Sequence, residues 1–126
     1  MSNFDNFTHV IAGHDEPQYV PFTVTDGGPS YGEIAVLRKG SHDGKVLVAG
    51  FWRVQPSVSG VYDIPLGDES GFVIEGSADI ELLDTGKVIR LEAGQLYSFK
   101  KGTRTRWTIL TPFKKFVVVS DSADQR

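Results

Sequence analysis

The chain has 126 residues, 40% of them apolar and 23% charged, with a formal net charge of −3 and no cysteine. That length predicts one domain with a core of its own, the charge gives no general pull toward nucleic acid, and the missing cysteines exclude disulfides, thiolate metal ligands and cysteine nucleophiles. The opening stretch MSNFDNFTHVIAGHDEP has no basic segment followed by an apolar run, and no window approaches a membrane-spanning length; the expectation is a cytoplasmic protein with no leader peptide and no membrane contact.

Residues 1–30 are punctuated by Gly13, Pro17, Pro21 and the run DGGPS at 26–30, and they read as an N-terminal arm with one short extended piece, QYVPFTV at 18–24. A loose tail, an arm docked on its own domain and an arm crossing to a partner subunit are all compatible with that composition. From residue 31 the pattern is strand after strand: YGEIAVLRKG (31–40), KVLVAGFWRVQ (45–55), VYDIPL (61–66), GFVIEGSADIELL (71–83) with Gly76 as an interruption, KVIRLEAG (87–94), QLYSFKKG (95–102), TRTRWTILT (103–111) and FKKFVVVS (113–120). SHDGK (41–45) and DTGK (84–87) read as turns, the second with Gly86 free to take positive φ. Turn signals at about eight- to twelve-residue spacing belong to an all-β sandwich or barrel, and no window holds a convincing helical period, so at most one short helix is expected. The domain is read as 31–120, with a frayed tail at 121–126.

Strict alternation places Glu69, Gly71, Val73 and Glu75 on one face of their strand and Ser70, Phe72 and Ile74 on the other. In TRTRW it puts Thr103, Thr105 and Trp107 opposite Arg104 and Arg106. DESGFVIEG (68–76) has the form Glu, six residues, Gly, and LEAGQLYSFKKG (91–102) spaces Gly94 and Gly102 with Lys100 between them. With AGFW (49–52), RWTIL (106–110) and PFKKFVVV (112–119), these pieces resemble, over roughly 46–120, the small cupins related to ureidoglycine aminohydrolase and the ethanolamine-utilisation cupin. The resemblance implies an all-β jelly-roll β-barrel, with the Thr–Trp face of TRTRW inside and the arginines outside.

Cupins of that pattern hold a divalent transition metal with histidines and one carboxylate. In this chain the carboxylate position is Glu69, but the His-x-His positions fall on Asp63 and Pro65 or on Tyr62 and Ile64, and the later histidine position falls on Thr105. His9, His14 and His42 all precede the motifs. The expectation is therefore a barrel with no metal and no cofactor. A divalent-metal cupin using Glu69 with Asp63 is kept as an alternative.

A barrel mouth is a common small-molecule site, and the residues expected around it are Trp52, Tyr62, Tyr97, Thr105 and Trp107, with Glu69 and Lys115 as the groups that carry chemistry. Lys115 stands where the resemblance implies a lysine; it would pair with Glu69 or bind a ligand carboxylate. Glu69, desolvated among aromatics, would have a raised pKa and move a proton in an isomerase or lyase step. The expected ligand is a small polar or acidic molecule. A non-catalytic sensor or regulatory protein is the rival, and whether the chain is an enzyme is left open. The window 100–115 holds six basic residues and no acidic one, and it reads as a salt-bridged outer face pairing with Asp79, Glu81 and Asp84 rather than as a nucleic-acid surface. Exposed sheet edges favour a homodimer.

Overall fold

A computed structural model describes residues 10–23, 29–42 and 45–121. Ten strands follow in chain order: β1 Val20–Thr23, β2 Ser30–His42, β3 Lys45–Val54, β4 Ser57–Val58, β5 Asp68–Glu75, β6 Ser77–Leu82, β7 Lys87–Glu92, β8 Leu96–Phe99, β9 Thr105–Ile109 and β10 Phe113–Ser120. Among the described residues there is no helix, and so none long and apolar enough to cross a membrane. The strands pair antiparallel into a six-stranded sheet, β1-β2-β3-β10-β5-β8, and a four-stranded sheet, β4-β9-β6-β7. Trp52, Val73, Ala78, Ile80, Leu91, Trp107, Ile109, Phe113, Val117 and Val119 form the core of this jelly roll, one inward set of alternating residues from each sheet.

Two local features depart from simple alternation. VYDIPL does not form a strand: only an isolated bridge joins Tyr62 to Thr105, because Ile64 takes a positive φ of 50° and Pro65 has no N–H to give a ladder. On β5, the register against β10 runs from Lys115↔Val73 to Lys114↔Glu75, which leaves Ile74 as a bulged residue. Glu69, Gly71 and Val73 face inward as alternation predicts, but Glu75 is exposed; the extra residue turns it away from the face it was expected to share with Glu69.

Gly76 separates β5 from β6. Its φ is +88°, and a Cβ there would lie 2.1 Å from the Pro112 carbonyl oxygen, so the corner requires glycine. DTGK makes the β6–β7 turn with Gly86 at φ 76°, while the SHDGK turn falls at 43–44, outside the described residues.

β10 positions the site. It is a central strand, paired to β3 on one side and β5 on the other. Phe113, Lys115, Val117 and Val119 point between the sheets, and Lys114 and Phe116 point outward, on the face where His14, Asp15 and Tyr19 of the arm pack. His14 and Asp15 meet Lys114, His14 packs edge-on to Phe51, and the Arg53 guanidinium sits 3.8 Å over the Tyr19 ring.

Candidate functional site

One buried carboxylate organises the barrel interior. Glu69, on β5, is 3% exposed. Its Oε2 accepts from Lys115 Nζ at 2.8 Å and from the Tyr97 hydroxyl at 2.5 Å, and its Oε1 accepts from the Tyr62 hydroxyl at 3.2 Å. Lys115 Nζ also donates to the Tyr97 oxygen at 2.5 Å, so lysine, tyrosine and glutamate close a three-membered ring of hydrogen bonds. Strand register sets this up. Lys115 lies opposite Trp52 on β3 and Val73 on β5, while Tyr97 lies opposite Gly71. A Cβ at Gly71 would fall 2.4 Å from the Tyr97 ring; the glycine leaves room for the ring to reach Glu69.

The ammonium is enclosed by rings. Lys115 Nζ lies 4.3 Å from the Trp107 ring, 4.9 Å from Trp52 and 5.0 Å from Tyr97, all within cation–π range. Trp52 is oriented by donating to the Tyr31 carbonyl at 3.1 Å. Trp107 donates through Nε1 to Thr105 Oγ1 at 3.1 Å, and Thr105 in turn donates to the Tyr62 carbonyl at 2.7 Å.

Beside the pair is a cavity of about 300 Å³, lined by Trp52, Tyr62, Glu69, Trp107 and Lys115 together with Tyr31, Ile34, Leu66, Val117 and others. Five of the seven residues picked out in the sequence thus meet at one cavity. Tyr97 and Thr105 do not line it. Tyr97 lies behind the pair, bonded to both members, and the Thr105 hydroxyl is fully engaged in holding Tyr62 and Trp107. Phe22 and Pro29, inside the segment read as an arm, also line the cavity, and the sequence reading missed them. Val20 and Phe22 alternate with exposed Pro21 and Thr23, a period-2 signal already present in QYVPFTV.

The electrostatics reverse one expectation. Burial pushes the Glu69 pKa up, but the Lys115 charge, its hydrogen bond and the two tyrosine hydroxyls outweigh burial and hold it below the ordinary carboxylate value. The anticipated raised pKa is therefore corrected, and Glu69 is an anion at neutral pH. Burial pushes Lys115 down, against the opposing pull of Glu69. Burial and the adjacent carboxylate raise Tyr62 and Tyr97 well above the ordinary tyrosine value, so both remain hydroxyl donors.

A model of the EutQ-like cupin domain matches residues 41–116. The chain belongs to the EutQ-like cupin family. No curated protein sequence matches it. Among solved structures, this cupin resembles the EutQ protein of Clostridium difficile at 16% identity and TM-score 0.55, over 73% of this chain and 71% of that one. A DUF861 family protein from Thermotoga maritima aligns at 29% identity and TM-score 0.51, over 55% and 75%. A conserved protein of unknown function from Streptococcus pyogenes aligns at 16% identity and TM-score 0.62, over 97% and 96%.

The residues do not fit the metal that the cupin pattern implies. At the ligand positions stand Tyr62 and Thr105, whose hydroxyls are already bonded, while Asp63 is exposed. Both Glu69 oxygens are taken, and a cationic lysine occupies the carboxylate's open side, where it would repel a second cation. Among the described residues no three His, Asp or Glu converge. His14 is on the outer face with Lys114, and His9 and the side chain of His42 lie outside the described residues. The basic window is likewise spread out: Arg104 pairs with Asp84 and Arg106 with Glu81, whereas Asp79 pairs with Arg90.

Proposed function

We propose that this cupin binds a small organic molecule in the barrel cavity without a metal, and that the Glu69–Lys115 pair recognises its polar end and moves protons on it. The observation that carries this reading is a buried ion pair at the wall of a cavity that is otherwise almost wholly apolar and aromatic. A buried ion pair is weak support for stability, since apolar residues of similar volume often serve as well; a polar pair that faces an open cavity has a ligand to meet. The apolar walls refine the ligand from simply polar or acidic to a molecule with an apolar body and one oxygen-bearing head. Lys115 would hold that oxygen, and Glu69, anionic in the unliganded protein, is the group that takes up a proton and returns it. Tyr97 and Tyr62 keep it in place by donating hydrogen bonds to it. Such an arrangement suits an isomerase or lyase step next to a carbonyl. A sensor that only binds would use the same contacts.

Trp52 and Trp107 make the test direct. Small apolar acids and carbonyl compounds are titrated against tryptophan fluorescence of the wild type and of E69Q and K115M. At least one compound should quench the wild type and bind about tenfold or more weakly to K115M, the loss of one charge-assisted contact. Equal affinity in both folded variants would sink the assignment, and turnover of the bound compound separates enzyme from sensor. We also infer a homodimer. It is supported by Phe72 and Leu96, register partners on β5 and β8, which are 40% and 77% exposed on the outer face of the large sheet. Sedimentation of wild type against F72S/L96S checks it, with a monomeric variant expected.

A further inference from the structure

We propose that Lys115 is a nucleophile: its amine forms an imine with an apolar aldehyde or ketone held in the barrel cavity. This rests on the cavity reading above and specifies its ligand class.

The geometry has what an imine-forming lysine requires. Lys115 belongs to the cavity wall, and its strand is fixed on both sides, by β3 and by β5. Its main partner is a carboxylate at 2.8 Å. One proton passed across that bond turns the ion pair into a free amine and a carboxylic acid, neither of them charged. Burial opposes the charge on both groups, and a ligand that expels water from the cavity adds to that opposition. Desolvation in an apolar pocket is a recognised way to activate a lysine.

The step closes without any further reagent. The amine nitrogen attacks the carbonyl carbon, and the carbonyl oxygen takes the proton held by Glu69. Glu69 recovers a proton from the nitrogen, then hands it to the hydroxyl, which leaves as water as the C–O bond breaks. In sum, the ammonium–carboxylate pair and one carbonyl give a protonated imine, the same carboxylate and one water. The Tyr97 hydroxyl, bonded to both Lys115 and Glu69, can relay the proton. The product is again a cation, beside the same carboxylate and against the faces of Trp52 and Trp107. The ring cage that holds the ammonium therefore holds the iminium equally well. The walls, Leu66, Ile34, Val117 and the two tryptophans among them, select a flat or branched apolar body over a sugar.

Benzaldehyde with cyanoborohydride tests this on the wild-type protein. The reductant delivers hydride to the imine and fixes it as a benzylated lysine, which peptide mapping assigns by the mass of one benzyl group. Exposed Lys87 and Lys100 are internal controls. Because burial lowers the Lys115 pKa, a larger share of it is free amine at neutral pH, and Lys115 should be labelled several-fold faster than either control despite its burial. Labelling of Lys115 no faster than the controls overturns the imine. Tryptophan fluorescence separates the two readings: quenching by benzaldehyde without labelling of Lys115 leaves cavity binding standing and removes the nucleophile, whereas neither quenching nor labelling overturns the imine and counts against the cavity assignment too.

Discussion

Lys114 and Lys115 are adjacent on the central strand, are 7% and 6% exposed, and each has a carboxylate within 2.8 Å. Strand alternation sends them to opposite faces. Lys115 goes into the barrel, where its counter-charge is also buried and aromatic rings surround it. Lys114 goes outward, with Asp15 and His14 of the arm and Glu75 of β5 around it; Asp15 is itself 75% exposed. Similar burial and similar chemistry thus yield an isolated pair facing a cavity in one case and a fastening for the N-terminal segment in the other. What separates them is whether the partner can be reached by water, which sets how strongly each charge depends on the other.

Removing the buried partner should expose that dependence most. E69Q leaves a cationic lysine in an apolar site, and it should cost about 3 to 5 kcal/mol by chemical denaturation. The double variant E69Q/K115M should recover most of that loss; a double variant as unstable as the single one would mean that the pair is not the cause. The same variant carries a pH signature. The folded pKa of Glu69 lies below its unfolded value, near 4.5, so over the window beneath 4.5 the unfolded chain binds more protons. The stabilisation is present above that window and is lost as pH falls through it toward the folded pKa. Stability measured from pH 7 downward should therefore fall more steeply in the wild type than in E69Q, and parallel curves would contradict the assignment.

Y97F is the intermediate case. It keeps the ring against Gly71 and removes the hydroxyl that joins both members of the pair, for an expected loss of about 1 to 3 kcal/mol. It should also slow labelling of Lys115 by benzaldehyde, whereas a purely structural tyrosine would leave the labelling rate relative to Lys87 unchanged. The smallest effect belongs to the outer pair. D15N should leave the denaturation midpoint within experimental scatter and raise the rate of proteolytic cleavage near residues 10–19; a shift in midpoint as large as that of Y97F would erase the contrast between the two lysines.

Much of the interior was legible from residue order. Glu69 and Trp107 fall on inward faces by simple alternation, Gly76 and Gly86 mark the turns, and Arg104 and Arg106 point out toward Asp84 and Glu81. What misled the reading was local. The bulge at Ile74 turned Glu75 outward, Pro65 and the backbone of Ile64 prevented a strand at 61–66, and Thr105 and Tyr97 proved to hold other site residues rather than line the cavity. None of these follows from residue type, since a bulge or an occupied hydroxyl depends on the strand opposite.

By itself, the sequence determined an all-β chain of the cupin kind, with strands, corners and inward faces, because hydrophobic period and glycine placement are local properties of the chain. It also supplied a carboxylate and a lysine, 46 residues apart, as the groups to watch. Only the tertiary structure decided that they touch, that two tyrosines and two tryptophans close around them, and that the first described segment contributes Phe22 to the cavity. It also decided the sign of the Glu69 shift. A pKa is the balance between desolvation and neighbouring charge, and that balance exists only once strands distant in sequence have been brought within hydrogen-bonding distance.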